Sequence, residues 1–162
     1  MLAILVILAA TASPCSAPEF RQFDFWAGDW NVVNAAGAPI GKNTITIVHG
    51  GCVLQEQWTS ARGNTGSSVS FYDPRTKKWH QFWVDSSGSA WLSYDRDGNP
   101  ATARGTFHDG IMEMISDPAT KPMIRGIWRL LPDGRVRQAF DQSSDGGKTW
   151  KTTFEGFYVR RQ

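Results

Sequence analysis

Apolar and polar residues alternate along most of this chain in short runs that are separated by turn residues. The most regular example is the segment 66–85, in which the alternating runs 68–72 and 79–84 flank the turn residues 73–77. Alternation with a period of two is typical of a β-strand, and the Asp73-Pro74 dipeptide favours a tight turn. The segment therefore predicts a β-hairpin.

The second strand of this hairpin carries large side chains on both faces. A strand of this kind lies between two packed layers, or it lines a cavity. The pattern alone leaves open which of its faces points inward. One face holds Trp79, Gln81, Trp83 and Asp85, and the other holds His80, Phe82 and Val84.

The same pattern of short strands recurs through the rest of the chain. Three of the intervening turns are Asp-Gly dipeptides, at 97–98, 109–110 and 133–134, and this dipeptide tolerates the positive φ of a tight hairpin. In residues 19–30, however, Phe23, Trp26 and Trp30 fall at helical spacing, which predicts a short helical turn that closes one end of a barrel. The predicted strands are 29–34, 42–48, 52–59, 90–94, 101–107, 111–116, 123–131, 135–141 and 149–159, besides the hairpin.

These elements predict an all-β fold. An open sheet of so many strands would leave two long edges, so we expect an antiparallel up-and-down β-barrel of about eight to ten strands, with a short N-terminal helical turn. The chain has 162 residues, which suits one domain, predicted to span residues 13–162. A barrel of this size has room inside for one small ligand.

The N-terminal segment predicts export. Residues 2–10 are uniformly apolar, too few to span a bilayer but suited to the central region of a signal peptide. The small residues at 10–12 form a cleavage site, so we expect residues 1–12 to be removed and the mature chain to begin at Ser13. This predicts a periplasmic or secreted protein without a transmembrane segment; the alternative is that the apolar run forms a buried strand.

The two cysteines, Cys15 and Cys52, form an even pair in the predicted mature chain. In an oxidising compartment such a pair predicts a disulfide, here one that would tie the N-terminal segment to a strand. The alternative is lipidation of Cys15, against which Pro14 stands where a small residue normally precedes the modified cysteine.

Four runs of the chain resemble a lipocalin-like family catalogued as a domain of unknown function. The resemblance covers nearly all of the mature chain and implies a calycin-type barrel. It implies no settled activity and no catalytic residues, so the function has to be sought in the site itself. The four runs are FDFWAGDWNV, GGCVLQEQW, YDPRTKKWHQFWVD and SSDGGKTWKTTFEGFYVRR.

The candidate ligand site combines tryptophans with isolated polar groups. The chain has eight tryptophans, and Trp58, Trp79, Trp83, Trp91 and Trp128 recur about once per central strand. Apolar walls with a few placed polar groups are how small-molecule sites are built, which predicts a small hydrophobic or aromatic ligand. The net charge of +2 without a basic cluster gives no indication of nucleic-acid binding. The predicted site residues are Glu56, Trp58, Trp79, Gln81, Trp83 and Asp85.

Glu56 has apolar neighbours, Leu54 and Trp58, on its own strand face. If that face points into the barrel, burial raises the pKa of Glu56, and the residue becomes a general acid/base or an anchor for a ligand. The simpler interpretation, which the sequence favours, pairs Glu56 with an arginine. The candidate arginines are Arg125, Arg129, Arg135 and Arg137. If they do not pair with Glu56, they could pair with Asp85, bind an anionic ligand or lie on a solvated outer face. The sequence favours the solvated outer face.

Two further functions remain open. One is an enzyme of the lyase, isomerase or cyclase kind, with Glu56 or Asp85 as the general acid/base. The other is a module of the cell envelope that has a solid core and meets a partner through its edge strands or through the turn 143–150.

No other motif points to chemistry. His49, His80 and His108 lack metal-ligand spacing, so no metal site and no cofactor is predicted, with a single haem-ligating histidine as the alternative. Residues 143–150 match the Asp-box pattern of sialidase-type propellers, but a propeller needs several copies. We therefore interpret this segment as a rigid hairpin turn.

Overall fold

The protein is a closed antiparallel β-barrel of ten strands, with a separate two-stranded ribbon. The computed structural model describes residues 14–88 and 93–162; the predicted signal peptide, Ser13 and Trp91 lie outside these ranges. The strands are β1 Gly28–Val33, β2 Pro39–Val48, β3 Val53–Ser60, β4 Thr65–Asp73, β5 Lys78–Asp85, β6 Ser93–Tyr94, β7 Pro100–Ala101, β8 Ala103–His108, β9 Ile111–Ile115, β10 Met123–Leu130, β11 Val136–Ser143 and β12 Lys151–Arg160.

The barrel is an up-and-down meander, as the sequence predicts. Each barrel strand pairs with the barrel strand that follows it in the chain, and β1 closes the circle against β12. The pairing between β1 and β12 is short. It begins where Trp30 lies opposite Arg160 and ends where Val33 lies opposite Phe157. The part of β12 before Phe157 therefore extends past the end of β1.

The chain between β5 and β8 differs from the prediction, which placed the strands 90–94 and 101–107 in the barrel. Among the described residues, β6 pairs only with β7, and the barrel resumes at Ala103. The backbone amide of Asp117 donates to the Ser93 hydroxyl, and that of Tyr94 donates to the Thr120 hydroxyl. These hydrogen bonds hold the ribbon against the loop that precedes β10.

The N-terminal segment closes one end of the barrel with two 3-10 turns, Pro18–Arg21 and Asp24–Trp26. The rings of Phe23 and Trp26 are completely buried and stack with centroids 4.9 Å apart. The edge of Phe23 also contacts Trp79 and Trp128. The predicted short helical turn at the end of a barrel is thus confirmed, and we call this aromatic assembly the plug.

A disulfide between Cys15 and Cys52 fixes the plug to the barrel, which confirms the predicted pairing. Because both thiols are consumed, lipidation of Cys15 is excluded. Cys52 immediately precedes β3 and follows a third 3-10 turn, His49–Gly51, whose Gly51 carbonyl accepts a hydrogen bond from Arg21. No helix within 14–88 and 93–162 has the length and apolar character needed to cross a membrane.

Candidate functional site

The inward faces of β3 and β5 meet inside the barrel. On β5, Trp79 and Gln81 are buried while Val84 is 47% exposed, so the face that carries both tryptophans points inward. On β3, Leu54 and Glu56 are buried in the same way. The structure therefore shows which face of β3 and which face of β5 points into the barrel, as alternation alone could not.

A cavity of about 230 Å³ lies at the end of the barrel opposite the plug. For scale, a cavity of roughly 150 Å³ holds benzene. The space therefore suits a compound with one ring and a short substituent. Its walls are formed by Glu56, Trp58, Gln81, Trp83, Asp85, Gln138, Phe140 and Phe154.

Trp79 is the one predicted site residue that the structure places elsewhere. Its ring packs against Phe23 and Tyr72, and its indole N–H donates to the side-chain oxygen of Gln22 at 3.1 Å. Trp79 shares a face with Gln81 and Trp83, but it comes first along the strand and so lies at the plugged end. It belongs to the packing of the plug and does not line the cavity.

Glu56 lies at the floor of the cavity and is only 4% exposed. The Asn43 side-chain amide donates to Oε1 of Glu56 at 2.7 Å, and the Ser68 hydroxyl donates to Oε2 at 2.6 Å. Gln81 in turn donates to the hydroxyls of Ser68 and Ser70. The carboxyl group is thus held in place by neutral donors from the two neighbouring strands.

The pairing of Glu56 with an arginine, which the sequence favoured, is wrong. Glu56 faces the interior of the barrel. Arg125, Arg135 and Arg137 instead pair with carboxylates on the outside of the barrel, and Arg129 is exposed. Each of these three paired arginines already has its carboxylate partner on the outer face, so none of them is left to pair with Glu56. The outer ion pairs are Arg125–Asp141, Arg135–Asp133 and Arg137–Glu155.

Burial changes the acid–base properties of the cavity floor. Desolvation raises the pKa of Glu56 to about 7, against the opposing effect of the hydrogen bonds from Ser68 and Asn43. Burial, and secondarily the charge of Glu56, raises the pKa of Tyr158 well above its usual range. The Tyr158 hydroxyl accepts from Asn43 and donates to Gln138, so one chain of hydrogen bonds joins Glu56 to the opposite wall.

Two inward-facing glycines, Gly41 and Gly66, leave room for the rings of Trp58 and Trp83. A Cβ atom at Gly66 would lie 2.1 Å from the Trp83 ring, and one at Gly41 would lie 2.3 Å from the Trp58 ring. Each indole therefore packs directly against a glycine of the adjacent strand, and a larger residue at that glycine would have to move the ring. Glycine in the interior of a strand is a sequence signal for such a close approach.

A second, wider depression of about 660 Å³ adjoins the cavity, and Trp58 and Phe154 line both spaces. It lies where β12 extends past the end of β1, between Pro39 and Thr153. The edge of Trp58 faces Phe154, with ring centroids 6.4 Å apart. These two rings separate the cavity from the outer depression.

The histidines and the Asp-box segment lie apart from the cavity. His80 is on the outer face, where its ring stacks on Phe71 and Nδ1 contacts the Thr102 hydroxyl at 2.8 Å. The Asp145 carboxylate accepts hydrogen bonds from the backbone amides of Lys148 and Thr149 within the same segment, which makes 143–150 a rigid hairpin turn. Among the described residues no three His, Cys, Asp or Glu side chains converge as metal ligands would.

Comparisons of the chain with protein-family models and with curated proteins find no match. The resemblance to a lipocalin-like family therefore stays a prediction. What the structure establishes is a closed β-barrel with a buried aromatic cluster, a disulfide and an internal cavity.

Proposed function

We propose that this protein is an exported, lipocalin-like barrel that binds a small apolar or aromatic molecule in the cavity above Glu56. The observation that carries the proposal is an internal space of about 230 Å³ with aromatic walls and a few fixed polar groups. Apolar surfaces supply most of the affinity in such sites, and the polar groups orient the ligand. In this proposal Trp58 and Trp83 contact the body of the ligand, while Glu56 and Gln81 contact its polar atoms.

The compartment forms part of the same proposal. A disulfide persists in oxidising environments, so the Cys15–Cys52 bond supports a periplasmic or secreted protein whose residues 1–12 act as a signal peptide. The proposed membership of the lipocalin-like family rests on the four sequence runs described above together with the closed meander topology.

Acid–base catalysis is the second candidate function. One observation favours it: a carboxyl group with a pKa of about 7 lies at the floor of the cavity, and a general acid/base is most effective when its pKa is near the working pH. Glu56 would then transfer a proton in a lyase, isomerase or cyclase reaction, with Asp85 at the rim as the other carboxylate of the site. The solid core needed for a pure interaction module is disfavoured by the cavity itself.

Native mass spectrometry of protein purified gently from a periplasmic extract tests the binding function. We expect a mass excess that disappears on denaturation, and its value identifies the compound. The Trp83→Ala variant should lose this compound, whereas the matched control Val84→Ala, altered at the exposed neighbour on the same strand, should retain it. Equal retention by both variants would show that the compound binds elsewhere.

The recovered compound also distinguishes the second candidate from the first. Incubation with fresh wild-type protein leaves its mass and structure unchanged if the barrel only binds it. Conversion by the wild type, together with binding but no conversion by Glu56→Gln, would establish acid–base catalysis.

A further inference from the structure

The wall of the cavity carries charge of one sign only. Glu56 and Asp85 both line it, and no Lys, Arg or His side chain does so among the described residues. The stretches outside the described ranges contain none of these three residue types. The interior of the barrel is therefore acidic, although the chain as a whole has a formal charge of +2.

Glu56 is held without a counter-charge. The groups that face it from the neighbouring strands are Asn43 of β2 and Ser68 of β4, both neutral, and Tyr158 of β12, whose raised pKa keeps it neutral. The other ionisable group of the cavity, Asp85 of β5, is acidic. A buried carboxylate with neutral partners costs free energy to ionise, and a cation placed beside it removes much of that cost.

The remaining walls favour a cation as well. Among the described residues, four aromatic rings line the space, those of Trp58, Trp83, Phe140 and Phe154. The face of an aromatic ring is electronegative and attracts ammonium groups, most strongly where water is excluded. Among the described residues, the guanidinium groups that lie on aromatic rings do so outside the cavity: Arg125 on Trp150, Arg135 on Phe157 and Arg160 on Trp30.

From this combination we propose that the ligand is an organic cation, a primary amine or a quaternary ammonium group on a small apolar or aromatic body. The cationic group lies beside Glu56 and against the aromatic walls. The volume of the cavity limits the body to about one ring with a short arm. The inference rests on the proposed function, because it names the chemical class of the ligand for the same cavity.

The pH dependence of binding follows from the same arrangement. Only the ionised form of Glu56 attracts a cation, and burial raises the pKa of Glu56 to about 7. The affinity for a permanently charged ligand therefore rises as the pH increases from 6 to 8, and ligand binding releases a proton near pH 7. The affinity for a neutral ligand of similar shape shows no such rise.

Three soluble probes test the inference by isothermal titration calorimetry at pH 8: phenyltrimethylammonium, benzylamine and the neutral benzyl alcohol. We expect both cations to bind the wild type at least about tenfold more tightly than the alcohol. Glu56→Gln should lose this preference, and Asp85→Asn should weaken it. The control Glu113→Gln, which removes a carboxylate of the outer face that pairs with Arg125, should leave it unchanged.

Two results would overturn the inference. In the first, benzyl alcohol binds at least as tightly as the cations, so the cavity takes neutral aromatic compounds and only the choice of ligand class fails. In the second, neither cation binds at millimolar concentration. The proposed binding function is then judged separately, by whether a compound of another class is released from the purified protein in the native mass spectrum.

Discussion

The two ends of the barrel are both rich in aromatic residues, yet the cavity lies at only one of them. At the plugged end, Phe23, Trp26, Trp30 and Trp128 have exposures of 1% or less and pack against one another. At the other end, the rings of Trp58, Trp83, Phe140 and Phe154 are partly buried and surround about 230 Å³. Aromatic content is therefore a poor indicator of a ligand site in this fold.

The polar side chains of the interior mark the boundary between the two ends. Glu56, Gln81 and Gln138 lie on three different strands and all face the cavity. Buried polar groups have to be hydrogen-bonded, and the Asn43, Ser68 and Tyr158 side chains satisfy them from the barrel wall. Packing does not require these buried polar side chains, because the plug fills its end of the barrel with aromatic rings.

The sharpest test of this contrast compares Trp26→Ala with Trp83→Ala. Trp26 is completely buried in the plug, so its truncation should lower the free energy of unfolding by about 3–5 kcal/mol. Trp83 is only partly buried and lines the cavity, so its truncation should cost less than about 2 kcal/mol while it abolishes ligand binding. Urea unfolding curves measure both losses; equal losses would contradict the distinction between plug and cavity.

A second test uses the pH dependence of stability. The folded state holds the proton of Glu56 up to a pKa of about 7, whereas the unfolded chain releases it near 4.5, so the folded state binds more protons between these values. The contribution of Glu56 to stability is therefore complete below pH 4.5 and is lost as the pH rises through 7, by roughly 3 kcal/mol.

Unfolding by urea at intervals from pH 5 to 8 measures this loss as the difference between the wild type and Glu56→Gln. The Glu155→Gln variant, altered on the outer face where its partner is Arg137, serves as the control and should show the same pH dependence as the wild type. A difference that stays constant across this range would mean that Glu56 is ionised throughout and that its burial costs little.

The smallest expected effect concerns the glycine beneath Trp83. In Gly66→Ala the new methyl group displaces the indole ring toward the cavity, because its position is only 2.1 Å from the ring. We expect a loss of about 1 kcal/mol in stability from overpacking and a clear loss of ligand affinity from the reduced space. Ser67→Ala, on the exposed face of the same strand, is the matched control, and equal ligand affinity in the two variants would contradict the proposed placement of the ring.

Much of the fold follows from short-range sequence signals. Alternation correctly places Trp79, Gln81, Trp83 and Asp85 on one face of β5, and the even number of cysteines correctly predicts the disulfide. A period of two identifies a face but contains no information about depth along the barrel. For this reason the sequence grouped Trp79 with the cavity residues, although its ring lies in the plug.

The missed residues of the site depend on register. Ser68 meets Glu56 because the two residues are direct partners across β3 and β4, and a shift of one position would turn Ser68 outward. Gln138 and Phe154 come from β11 and β12, which reach the other side of the cavity only because the barrel closes. No local pattern encodes these pairings, since they are set by the assembled sheet.

The seam between β1 and β12 has a consequence for how the chain folds. Arg161 donates to Asp29, 132 positions earlier in the chain, while the other barrel strands pair with neighbours in sequence. The sheet can therefore grow strand by strand as the polypeptide emerges, but the circle closes only once β12 has been synthesised. Until then two strand edges stay unpaired and open to other chains, so loss of the C-terminal strand would convert a sealed barrel into a template for aggregation.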